Sequence, residues 1–120
     1  MKLAITSKGT DLNAQIDPRF GRAAYILIVD TDTMDIEVLD NTENINRLKG
    51  AGIQAAAMIS DRGADALLTG FCGPNAVKTL NAAKIKVGVE VSGTVQNAID
   101  AFKEGKVQFT DQPNTQGHWT

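Results

Sequence analysis

The apolar positions of this chain fall into short blocks with two spacings. Residues 2–6 (Lys-Leu-Ala-Ile-Thr) and 24–30 (Ala-Tyr-Ile-Leu-Ile-Val-Asp) are continuous, β-branched-rich runs of strand length. Residues 35–40 alternate polar and apolar, as a half-exposed edge strand does, after a turn at Asp30-Thr31-Asp32-Thr33. From Gly50 onward the spacing changes to helical. Gly50-Ala51-Gly52 opens a segment rich in Ala, Ile and Met that runs to about Arg62, with Gly63 as its stop. Residues 65–69 and 86–89 read as two more strands. Between them, Gly73-Pro74 places proline at a first helical position, followed by the stripe Ala76, Val77, Leu80, Ala83. Ser92-Gly93-Thr94 leads into a last helix with Val95, Ala98, Ile99 and Phe102 on one face, ended by Gly105. A short further strand at 107–109 is optional.

The order strand, hairpin, then helix and strand in alternation predicts a three-layer α/β/α domain. Right-handed crossovers give a mixed five-stranded sheet of order 3-2-1-4-5, with strand 2 antiparallel. The domain spans residues 1–109, and residues 110–120 read as a flexible tail. In this topology the loops 7–22, 41–52, 70–75 and 90–94 open on one edge, where α/β sheets hold ligands. Residues 7–22 and 41–49 read as long polar loops.

Charge narrows the partners. The chain has 120 residues, a net charge of -2 and 22% charged residues. A sequence pI near 5.2 disfavours nucleic acid and anionic membranes, which attract basic proteins. No run approaches the ~20 apolar residues of a membrane span, and the apolar start is too short for a signal peptide. A cytoplasmic protein is the simplest expectation. One cysteine and one histidine, Cys72 and His118, cannot build a Cys₄ or Cys₂His₂ zinc site or a cysteine-ligated iron–sulfur cluster in one chain. An inorganic cofactor would bring most of its own ligands.

Against that acidic background, Lys8, Arg19, Arg22, Arg47 and Lys49 all fall in the edge loops. Asp17-Pro18-Arg19-Phe20-Gly21-Arg22 combines two permanent cations, a fixed turn, an aromatic ring and a glycine that permits close backbone approach. Two helix starts, at Gly50-Ala51-Gly52 and Gly73-Pro74-Asn75, would add N–H donors and partial positive charge. Phe20, Phe71 and Cys72 would add polarizable walls. Each feature has a plainer reading. The arginines could pair with Asp11, Asp17 or Glu43; Gly50-Ala51-Gly52 could serve tight packing. Cys72, beside a helix start that can lower a thiol pKa, could instead be a small buried residue. Neither glycine motif is a dinucleotide fingerprint or a P-loop. Catalytic sets are missing. A Ser-His-Asp triad would need His118 from the tail, and a two-metal nuclease would need clustered carboxylates, where only Asp65 and Glu90 are candidates. A non-enzymatic binding role follows.

Three ordered motifs resemble the dinitrogenase iron–molybdenum cofactor-binding family. They are Asp17–Ala23, Gly50–Ala56 (Gly-Ala-Gly-Ile-Gln-Ala-Ala) and Gly70–Ala76 (Gly-Phe-Cys-Gly-Pro-Asn-Ala). Gly93-Thr94-Val95 and Ala101–Lys106 continue the likeness, which covers about residues 1–109. The chain is most similar to single-domain members that bind a mixed molybdenum–copper sulfide cluster without covalent attachment. The resemblance implies a ribonuclease-H-like fold and a carrier or store for such a cluster, with an iron–molybdenum cluster precursor as the alternative cargo. It also implies a setting beside ParA/MinD-like P-loop ATPases, so a module that docks such an ATPase through its tail and an exposed Phe20 is the rival. The residues expected to hold the cluster are Lys8, Arg19, Phe20, Gly21, Arg22, Phe71, Cys72, Gly73 and Asn75, with Cys72 the one candidate metal ligand. Lys84 departs from the family, which usually has glycine there, so a differently built helix end is expected.

Overall fold

A computed structural model describes residues 1–45 and 50–115 of the chain. Arg47, Lys49, His118 and Trp119, considered above, lie outside the described residues. Among the described residues six strands form one sheet: β1 (Lys2–Ser7), β2 (Tyr25–Asp30), β3 (Ile36–Asp40), β4 (Ala66–Leu68), β5 (Lys86–Val89) and β6 (Gln108–Thr110). Their order is β3-β2-β1-β4-β5-β6. The expected 3-2-1-4-5 core is therefore present, extended by a sixth strand. β2 runs antiparallel to β1 (Leu3 opposite Val29, Ile5 opposite Leu27), and β4 runs parallel to it (Leu3 opposite Ala66). β6 joins β5 antiparallel, with Val87 opposite Thr110. Three residues carry too little periodicity to announce a strand; pairing with β5 makes it one.

The helices are α1 (Thr42–Ile45), α2 (Ala51–Asp61), α3 (Pro74–Ala82) and α4 (Val95–Lys103). α1 lies in a stretch expected to be loop. One sheet face packs Ile26, Ile28, Leu67 and Val87 against Ala55, Ala56 and Ile59 of α2 and Ala76, Val77 and Leu80 of α3. The other packs Leu3, Ile5, Leu27, Val29 and Leu68 against Val95, Ala98 and Ile99 of α4. The small residues of α2 let helix and sheet approach closely, which supports the packing reading of its glycine-rich start.

The three longer helices end alike. After each, one residue turns left-handed, and two amides close back onto the last turn: Gly63 to Ser60 and Ala64 to Ile59, Lys84 to Asn81 and Ile85 to Leu80, Gly105 to Phe102 and Lys106 to Ala101. The helix end at Lys84 is thus not built differently, contrary to expectation. Lys84 takes φ +61°, the glycine conformation, and bears its steric cost.

Candidate functional site

The loop of residues 8–24 drapes over the carboxyl ends of β1, β4 and β5, and backbone bonds tie it to the turns at Gly93 and Phe71. Ile16 N–H donates to the Gly93 carbonyl at 2.8 Å. Phe20 N–H donates to the Phe71 carbonyl at 3.2 Å, and Phe71 N–H donates to the Pro18 carbonyl at 2.6 Å. The last two bonds join the Arg19 strip to the turn that starts α3, as a parallel bridge between Arg19 and Phe71. Beneath the loop, the Thr6 hydroxyl donates to the Asp17 carbonyl at 2.6 Å and pairs with the Thr69 hydroxyl at 2.9 Å. At the far end, the buried Asn41 amide donates to the carbonyls of Gly21 (3.1 Å) and Ala23 (2.8 Å) and accepts from Asn44 at 2.7 Å. The loop's shape is therefore set by polar contacts the protein makes with itself.

This arrangement sorts the expected site residues. Arg19 reaches the surface, its side chain 48% exposed; its Nε lies 3.9 Å from Asp17 Oδ1, a loose pairing that bears out part of the plainer reading. Asp17 Oδ1 also accepts the Arg19 backbone N–H at 3.2 Å, which fixes where the guanidinium leaves the chain. Phe71, Asn75 and Lys8 are exposed, and Gly73 is buried. The first turn of α3 has no side-chain cap; its N-cap is Gly73 and its first residue Pro74. Among the described residues nothing accepts from the Asn75 and Ala76 amides, because Val77 makes the first helical bond, to Gly73. Arg19, Phe71 and the uncapped first turn of α3 thus share one ledge, within which Ala76 itself is buried.

Four expectations change. Phe20 is wholly buried in the core beneath α2 and α3, so it can neither shed water from a bound cluster nor anchor a partner. Gly21, at φ +83°, approaches α2 and not a ligand: a Cβ there would lie 2.8 Å from Gly52 N. Its close approach is spent on packing the loop onto the start of α2. Arg22 is half-buried and donates through Nη1 to the Ile45 carbonyl at 2.5 Å, binding the loop to α1. Cys72 is wholly buried, and burial pushes its thiol up to about 12, the reverse of the lowering a helix start can cause. Its sulfur is covered by the core rather than presented on the loop edge.

One residue escaped sequence reasoning. Asn114 Oδ1 accepts from Cys72 N–H at 2.7 Å, its own N–H donates to the Cys72 carbonyl at 3.1 Å, and its Nδ2 donates to the Gly70 carbonyl at 3.0 Å. Part of the stretch expected to be flexible tail is therefore clipped to the turn carrying Phe71. Its signal, a lone Asn in a polar tail, is indistinguishable from solvated loop. Among the described residues no three His, Cys, Asp or Glu side chains converge to hold a metal ion. Neither is any helix among them long and apolar enough to cross a membrane.

Comparison with known proteins places this geometry. Residues 1–105 match the family described as dinitrogenase iron-molybdenum cofactor. The chain belongs to that family. Among solved structures, the apo form of the orange protein from Desulfovibrio gigas is 43% identical with a TM-score of 0.92, covering 95% of this chain and 96% of that one. A NifB-like protein of the DUF35 family from Thermotoga is 38% identical with a TM-score of 0.83, covering 97% and 98%. An uncharacterized protein of Methanocaldococcus jannaschii is 28% identical over 99 residues, 80% of this chain and 83% of its own length. The dinitrogenase iron–molybdenum cofactor family thus accounts for all three sequence motifs, since each lies within the matched residues.

Proposed function

We propose that this protein binds a molybdenum-containing metal–sulfur cluster without covalent attachment, and carries or stores it rather than turning over a substrate. One juxtaposition carries the reading: Arg19, the Phe71 ring and the uncapped first turn of α3 lie on one ledge, while the chain's single thiol is sealed beneath it. A thiometallate is anionic and soft and supplies its own sulfide ligands. It needs positive charge, N–H donors and a polarizable wall, and the donor set here fits that need better than it fits a bare metal ion. Arg19 would neutralise charge, with Lys8 on the same edge of the sheet. The Asn75 amide would donate to sulfides, Gly73 would admit the cluster close to the backbone, and Phe71 would exclude water from one face. Gly21, Arg22, Asn41 and Asn114 would hold these groups in place.

Family membership and the likeness to the orange protein support a cluster as cargo. A mixed molybdenum–copper sulfide is the favoured species, and an iron–molybdenum precursor is the alternative. The rival reading, docking of a ParA/MinD-like ATPase, loses Phe20 as its anchor.

The test is a titration of the apo-protein with tetrathiomolybdate and copper, read by the charge-transfer absorption of the bound cluster. Arg19→Ala should weaken binding at least tenfold, and the residual binding should depend less on salt than that of the wild type. Equal affinity in wild type and variant would remove this ledge as the site.

A further inference from the structure

Strand β3 forms one end of the sheet, and among the described residues nothing pairs with its outer side. Its register with β2 runs unbroken from Ile36 opposite Val29 to Asp40 opposite Tyr25. Asp30 N–H donates to the Asp35 carbonyl and Asn41 N–H to the Ala24 carbonyl, both at 3.0 Å. Antiparallel bonding alternates, so residues 35, 37, 39 and 41 turn their backbone groups toward β2, and Ile36, Val38 and Asp40 turn theirs outward. The two side-chain faces of the strand also differ. Leu39 is buried in the core under α2 and α3, and Glu37 on the same face is held by Arg62. On the α4 face Ile36 and Val38, opposite Val29 and Leu27, are 37% and 43% exposed, because α4 packs on the inner pair and leaves these two bare. Charge says what would cover them. Residues 23–45 hold six carboxylates, Asp30, Asp32, Asp35, Glu37, Asp40 and Glu43, and no Lys or Arg. Sheet edges are commonly guarded by lysine, proline or a bulge, and β3 has none of these. Its guard is acid alone, which repels a like strand and attracts a basic one.

We propose that β3 is a docking edge for an extended basic segment of a partner protein, which adds to the sheet as a further antiparallel strand. Its backbone would exchange hydrogen bonds with Ile36, Val38 and Asp40. Apolar side chains at alternate positions would cover Ile36 and Val38, and the lysines or arginines between them would face Asp35 and Glu37. A second copy of this chain is disfavoured as the occupant, since it would bring six carboxylates against six. The edge uses none of the ledge residues, and the inference does not depend on the cluster reading.

The probe is the end-capped hexapeptide Lys-Thr-Val-Lys-Ile-Lys, followed by amide NMR shifts of the protein at low salt. Laid antiparallel to β3, it sets its Val opposite Val38, its Ile opposite Ile36, and its lysines opposite Asp35, Glu37 and Asp40. Saturable shifts centred on residues 35–41 are expected. The peptide with glutamate for each lysine should bind at least tenfold more weakly, which measures the charge. N-methylation of the peptide's Val and Ile, whose amides would face β3, should cost at least tenfold; N-methylation of its Thr and central Lys, whose amides would face solvent, should cost less than about threefold. Only strand addition produces that contrast. Val38→Lys, at an exposed position, should weaken the unmodified peptide at least tenfold and leave the spectrum of the core unchanged. The proposal is overturned by any of four results: no saturable shifts up to about 5 mM peptide, shifts centred elsewhere, equal losses from the two methylated forms, or concentration-dependent shifts at residues 36–40 without peptide, which would make a second copy the occupant.

Discussion

Helices α3 and α4 start on the same edge of the sheet and have the same length, nine residues, yet their first turns are completed in opposite ways. At α4, Thr94 accepts from Asn97 N–H while the Asn97 side chain accepts from Thr94 N–H, a reciprocal box. The remaining orphan amides are taken by the loop over the edge: Val95 donates to the Ala14 carbonyl and Gln96 to that of Leu12, both at 2.9 Å. At α3, glycine and proline provide no cap at all. α2 is intermediate, uncapped by any side chain but covered by Gly21. A helix start is thus open to an anion only where the protein declines to finish it, and here that leaves α3. Sequence alone makes the glycine-rich starts of α2 and α3 look equivalent; the fold separates them.

The largest expected effect tests the covered start. Gly21→Ala forces a Cβ against Gly52 at positive φ, so urea denaturation should show a loss of about 3 kcal/mol or more. Closing the open start is the next. Gly73→Asp supplies the missing cap at a backbone angle any residue adopts, φ -82° and ψ 175°. Its carboxylate should engage the free amides and lower thiomolybdate affinity at least tenfold, with a stability change under about 1 kcal/mol.

Cys72 gives a pH test of the same turn. Its folded pKa, about 12, is raised from 9.0, so the native state keeps a proton that the unfolded chain releases. Its stability contribution is therefore full below pH 9 and is lost as pH rises from 9 toward 12. At pH 10 the wild type should have lost about 1.4 kcal/mol more than Cys72→Ala has, comparing each with its own value at pH 8. Thr94→Ala breaks the closed start. It should cost about 1 kcal/mol in denaturant and leave cluster affinity unaltered. The smallest effect tests the shared helix endings: Lys84→Gly should raise the melting temperature, a gain of roughly 0.5–1 kcal/mol.

The sheet was readable because its strands are long continuous or alternating runs and its turns carry glycine, proline or Asp-Thr pairs. β6 is legible only as an optional strand at 107–109 and α1 not at all, since three and four residues span less than one useful period and rely on partners elsewhere. α1 depends on the Asn41 carbonyl, which accepts from Asn44 and Ile45. At the site, Arg19, Phe71, Gly73 and Asn75 were legible as a group because topology alone brings their loops to one edge. Phe20 was misread because its neighbours are cationic and conformationally special, and its burial depends on helices that arrive later in the chain. Asn114 was invisible for a related reason: its three hydrogen bonds reach backbone groups more than forty residues away.

The Asn114 clip has a practical consequence for handling the protein. An affinity handle fused after Thr120 would be tethered only six residues from the turn bearing Phe71, so its attachment point stays within roughly 20 Å of the ledge. A polyhistidine stretch held there could scavenge copper beside the thiomolybdate ledge and counterfeit loading. Met1, which adjoins Thr31 at the far end of β1, is the safer place for a purification handle.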